Sequence, residues 1–161
     1  MNDNWWALAS LVLSLAFTGL GWRLLASGRK FMYAHLWMAC LLALQTGALC
    51  VKAYQTGMCP IRGASEVIFF LSWTINLFYL LRGRASRMSV LGIFTAPAIA
   101  VLTALSLLIG LFGPDVQGAH DFWVTAHVGV AMMSYGAGGL AAAAGVAFCM
   151  QAACLKRRQI P

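Results

Sequence analysis

Charge is what this sequence has least of. Its 161 residues include four acidic and eleven basic side chains, 9% charged in all, where a soluble domain carries about 25%. With 61% of residues hydrophobic and a mean hydropathy of +0.80, a water-soluble fold of this length could not cover its own core. Five cysteines are present but no CxxC, which excludes a paired-cysteine zinc site and a thioredoxin-type centre. The absence of CxxCH excludes a c-type haem attached covalently to this chain. The alternating pattern of a membrane β-barrel is missing. So are a phosphate-cradling glycine loop, a hydrolase nucleophile elbow and a pair of catalytic carboxylates.

What is present is a series of long apolar runs. A helix rises about 1.5 Å per residue and the bilayer hydrocarbon is about 30 Å thick, so roughly 20 apolar residues make a span. The runs are Trp5 to about Leu25, Phe31 to Val51, Glu66 to Leu81, Met88 to Phe112 with Pro97 inside, and Phe122 to Leu155. They predict an all-α integral membrane bundle of about five transmembrane helices, in one domain over residues 1–161. Asp3 and the lack of a clear cleavage site argue for a retained first helix rather than a signal peptide. Cys40, Cys50, Cys149 and Cys154 fall in or at the ends of these runs, where cysteine behaves as a small hydrophobe.

The scarce charge is segregated. If five helices cross, Arg23, Arg29, Lys30, Arg82, Arg84, Arg87, Lys156, Arg157 and Arg158 share one side. Lys52, Arg62 and the acidic residues Asp3, Glu66, Asp115 and Asp121 share the other. The positive-inside rule puts the amino terminus outside and the carboxyl terminus in the cytoplasm. The basic balance is thereby explained by bilayer orientation, and nucleic acid is not an expected partner. Cys59 would lie in the outer loop before the third helix, as a turn residue beside Pro60 or as a reactive thiol.

The fifth run exceeds the hydrocarbon thickness by about 20 Å. Anchored at Lys156, it would carry Phe122 to Val130 beyond the outer boundary, with His127 and Trp123 in the interfacial belt. Ser134, Gly138, Ala142 and Gly145 recur along it at helical spacing, a pattern that lets helices approach closely.

Three histidines are the candidate metal ligands. His35 is expected near the cytoplasmic end of the second helix, and His120 and His127 at the outer end of the fifth. His35 and His127 then sit near opposite membrane faces. His120 and His127 lie about 10 Å apart along one helix if both are helical. The chain alone is therefore not expected to build a bis-histidine haem site. Glu66 has two readings: a helix-start charge favoured by the macrodipole, or a functional carboxylate facing a cavity.

From about Gln45 onward the sequence resembles the cytochrome c assembly family, the haem-handling CcsA/CcmC/HemX-type membrane proteins. Gly57-Met58-Cys59-Pro60 through Glu66 to Trp73 is similar to the family's outer loop and following helix. Val90-Leu91-Gly92-Ile93-Phe94 through Pro97 is similar to its next helix. Trp123-Val124-Thr125-Ala126-His127 through Ser134-Tyr135, then Leu155-Lys156, resembles the family's histidine-led helix and is the most specific stretch. Gly63 and Ser65 stand where the family commonly has asparagine and an aromatic.

The resemblance implies a bacterial inner-membrane protein of cytochrome c maturation that binds or relays haem at the outer face, as an assembly factor rather than an enzyme. It implies His127 as an axial haem ligand, with Trp123, Tyr135 and Glu66 as further candidates. The family's tryptophan-rich outer loop and second external histidine have no counterpart in this sequence. Another membrane protein is therefore expected to supply them, with apocytochrome c an indirect partner. The alternative is a non-catalytic anchor or structural subunit of a larger complex. A small transporter is disfavoured by the lack of an inverted repeat and by few polar groups at mid-membrane.

Overall fold

The computed structural model describes residues 5–26, 33–56, 61, 63–82, 88–112 and 122–158. They form five α-helices: α1 (Trp5–Ala26), α2 (Ala34–Thr56), α3 (Ala64–Leu81), α4 (Met88–Phe112) and α5 (Phe122–Arg158). Each is long and apolar enough to cross a membrane, and no strand occurs among the described residues. The fold is the expected all-α membrane bundle. The one marked shift in boundaries is α2, which runs past Lys52 to Thr56. The charge does not end the helix because its ammonium is 3.4 Å from Glu66 Oε1 on α3. Pro97 lies inside α4 without ending it, as membrane helices tolerate.

Consecutive helices run antiparallel, with α3 and α4 at the centre. α3 packs on α2, α4 and α5; α4 packs on all the others; the α1 and α3 backbones stay apart, though Phe17 of α1 reaches the core beside Tyr79. Phe17, Met38, Leu41, Ile75, Tyr79, Ile99 and Leu140 form the shared core. In lipid, apolar burial alone does little to draw helices together, so close packing and interhelical hydrogen bonds carry more of the association. Trp37 Nε1 donates to Leu13 O (3.2 Å) between α2 and α1. Ser106 Oγ donates to Ser65 O (2.7 Å) between α4 and α3.

The α2–α3 seam holds a buried amide cluster. Asn76 Nδ2 donates to Met38 O and to Gln45 Oε1, both at 3.3 Å. Gln45 Nε2 donates to Ser72 Oγ at 3.2 Å. Gln45, Ser72 and Asn76 are fully buried. Beside them Trp73 Nε1 donates to Thr46 Oγ1 at 2.9 Å.

α5 leans on α3 through Gly136 and Gly139. A Cβ at Gly136 would stand 2.7 Å from Thr74 Cβ, and one at Gly139 would stand 3.0 Å from Ile75 Cδ1. Thr74 Oγ1 also reaches Met132 O at 3.4 Å. The small-residue row expected from the sequence is not the one that packs. Gly138 and Gly145 face open space, and Ser134 and Ala142 are exposed.

The same contacts fix the height of α5. With Gly136 level with Thr74, His127 lies about 14 Å and Ala64 about 15 Å above that level at ~1.5 Å per residue, so His127 is abreast of the first turn of α3. Below it, α3 ends after about 10 Å while α5 continues for about 33 Å. The surplus length of α5 therefore overhangs at the Arg158 end. The sequence-based expectation measured the surplus against a bilayer anchored at Lys156 and placed it at the His127 end. The glycines that admit Thr74 and Ile75 set the register against α3, which is a separate matter from the depth of the bilayer on α5.

Candidate functional site

Three of the candidate residues lie on the outward side of α5. Trp123 and His127 are one turn apart and neighbours on the helix surface, and Tyr135 lies about 12 Å further along and about 80° round from His127. Trp123 is 76% and Tyr135 63% exposed, and His127 is exposed between them. The opposite side of the helix carries Gly136, Leu140 and Ala147, which are buried. Packing on α3 and α4 thus leaves Trp123, His127 and Tyr135 facing outward. Among the described residues the His127 imidazole has no hydrogen-bond or ionic partner.

An exposed imidazole one turn from an indole suits one axial side of a flat, apolar, iron-bearing ligand such as haem. The other side is not furnished here. His35 is in the first turn of α2, and Met38 one turn further is opposite Asn76 near the far end of α3. His35 and His127 therefore sit at opposite ends of the bundle. His120 and Cys59 lie outside the described residues. Among the described residues no group of three or more His, Cys, Asp or Glu side chains is placed to hold a metal ion. Among the described residues, His127 fits one axial position of haem and no second ligand stands opposite it.

Glu66 stands apart from these residues. It occupies the first turn of α3, accepts from the Lys52 ammonium at 3.4 Å and from the Gly63 N–H at 3.4 Å. The second contact is the reach-back half of a capping box. Both readings of Glu66 meet in this placement, because the helix-start carboxylate also borders a cleft. That cleft lies among α1, α2, α3 and α4, and Trp6, Lys52, Glu66 and Ser106 are in its wall; none of its lining residues comes from α5. Glu66 and His127 are at the same end of the bundle but in separate environments.

Sequence reasoning missed the Gln45–Ser72–Asn76 cluster and the cleft. The cluster had a legible signal: isolated amide side chains inside apolar runs, which in membranes bind helices together. The cleft had none, since its walls come from four helices.

Residues 62–160 match the family described as Cytochrome C assembly protein. The chain is similar to the cytochrome c biogenesis protein CcsA of Trichormus variabilis, 32% identical over 88 residues, covering 52% of this chain and 25% of that protein. It is similar to CcsA of Crocosphaera subtropica, 28% identical over 125 residues, covering 74% of this chain and 35% of that one. It is also similar to Protein NrfI of Wolinella succinogenes, 32% identical over 151 residues, covering 84% of this chain and 15% of NrfI. The chain thus spans about a third or less of the length of these relatives. No solved structure matches.

Proposed function

The chain belongs to the cytochrome c assembly protein family, and on that premise we propose that it is a membrane component of cytochrome c maturation that holds or relays haem as cargo. Its five spanning helices and bacterial relatives make it a multi-pass protein of the bacterial inner membrane. His127 supplies one axial nitrogen, and Trp123 and Tyr135 offer aromatic surface on the same outward side of α5. A second ligand and an aromatic cover complete the haem site from outside the described residues, and apocytochrome c is met indirectly. The chain binds and positions; it carries out no bond-making step of its own. The Arg23, Arg82 and Lys156 end faces the cytoplasm by the positive-inside rule, so the His127 end is outside.

The observation that carries this reading is the unpartnered, outward imidazole at the end of a helix in the family-matching region. A membrane anchor has no use for one. The test compares His127→Ala with His120→Ala, each coexpressed with the candidate partner, by the haem absorption spectrum of the purified complex. His127→Ala should lose or shift the haem signal. An unchanged spectrum and haem content would reject the ligand assignment. Neutral imidazole is the form that binds iron, so acidification should also release haem.

A further inference from the structure

The cleft at the His127 end of the bundle is separate from the outward side of α5 and has its own chemistry. It lies where the α1 and α3 backbones stay apart, and the small residues Ala7, Ala48 and Gly110 are part of its wall. The cleft is shallow: its enclosed space is about 30 Å³, room for a water-sized group, so a ligand would lie along its mouth rather than within it. Phe69 and Leu107, both nearly buried, give it an apolar floor one turn below the helix ends. At the rim the Lys52 ammonium and the Glu66 carboxylate stand 3.4 Å apart, with side chains 36% and 19% exposed.

We propose that this cleft binds a zwitterionic phospholipid of the ethanolamine type, its phosphate at Lys52, its ammonium at Glu66 and the start of one acyl chain over Phe69 and Leu107. The charge pattern selects the head group. An anionic head gains from Lys52 and is repelled by Glu66, whereas a zwitterion whose charges are a few bonds apart meets an opposite charge at each end. A primary ammonium also donates hydrogen bonds to a carboxylate. A quaternary ammonium cannot, and is ordinarily held by a cage of aromatic faces; the Glu66 carboxylate instead offers hydrogen-bond acceptors, and it already accepts from Lys52 and the Gly63 N–H. An ammonium offers three protons and a carboxylate about four acceptor sites, so paired side chains can take a further partner. The position abreast of the first turn of α3 puts the charged rim at head-group level and the apolar floor at the start of the hydrocarbon.

The experiment is lipid competition on the full chain, purified in detergent and read by native mass spectrometry. Phosphatidylethanolamine, phosphatidylcholine and phosphatidylglycerol are offered in equal amounts, with soluble phosphoethanolamine in a separate arm. The ethanolamine lipid should be retained several-fold over the other two, and phosphoethanolamine alone should not compete, because it lacks the chain. Glu66→Gln should erase the preference for ethanolamine over choline. Lys52→Gln should weaken retention of both, and Ala48→Phe should fill the cleft and abolish it. Equal retention of the three lipids, a preference for the glycerol lipid, competition by phosphoethanolamine, or an ethanolamine preference that survives Glu66→Gln would each overturn the proposal. If Ala48→Phe fails to fold, the competition on the unsubstituted chain and the two charge-neutral variants decide. Haem retention at His127 is a separate readout, which Ala48→Phe should leave unchanged.

Discussion

Asn76 shows how a single residue holds two membrane helices. Its amide donates to Met38 O and Gln45 Oε1 across the α2–α3 seam, and its own Oδ1 is buried with no protein partner. In Asn76→Leu, Gln45 Oε1 loses its donor in an apolar setting. Interhelical hydrogen bonds of this kind are worth about 0.6 kcal/mol on average and up to roughly 2 kcal/mol. The variant should lose on the order of 1 kcal/mol of unfolding stability in mixed micelles. Gln45→Leu with Asn76→Leu should be less destabilised than the two single changes summed, since removing both partners leaves fewer groups unpaired. Strict additivity would show that the cluster is not a unit. His127, Trp123 and Tyr135 stand out through the family resemblance of the Trp123 to Tyr135 stretch, and the haem spectrum of His127→Ala tests the role that it implies. The direction in which that stretch faces was not legible, because it depends on which side of α5 meets α3.

Among the helices, α5 shows why spacing alone misassigns a packing face. Small residues occur on more than one side of it, and the row read from the sequence, Ser134, Gly138, Ala142 and Gly145, passes over the pair at Gly136 and Gly139. Only the second pair meets side chains, those of Thr74 and Ile75. The prediction is a contrast. Gly136→Leu must drive α5 away from Thr74 and should cost about 1–3 kcal/mol, the usual penalty of overpacking. Gly138→Leu faces open space and should leave the unfolding transition of the isolated chain within about 0.5 kcal/mol. Equal effects would refute the register. The helix spans themselves were legible throughout, because an apolar run near 20 residues has one stable conformation in lipid. α2 was drawn too short because Lys52 reads as a boundary until its partner on α3 is seen.

At the scale of the whole molecule, the question is where the bilayer sits on five helices of unequal length. α3 has 18 residues, about 27 Å, close to the hydrocarbon thickness of about 30 Å. A bilayer bracketing α3 leaves the Arg158 end of α5 projecting by about 22 Å. A bilayer ending at the Lys156 cluster would instead enclose that segment. The orientation we propose from the positive-inside rule puts this side in the cytoplasm, so reporter fusions after Arg84 and after Lys156 should both report cytoplasm; an external signal at either would reject the orientation. Cysteines then resolve the depth. Cys149 and Cys154 lie on the overhang and are exposed, whereas Cys40 lies on α2 next to Met38, level with Asn76 inside the span of α3. In single-cysteine variants, a charged maleimide offered to inverted vesicles should label Cys149 and Cys154 much faster than Cys40. At about 20 Å past Gly136, Cys149 is about 9 Å beyond the end of α3, outside the hydrocarbon if α3 defines it. Protection of Cys149 equal to that of Cys40 would mean that lipid covers the overhang and that α5 crosses the membrane at a different depth from its neighbours.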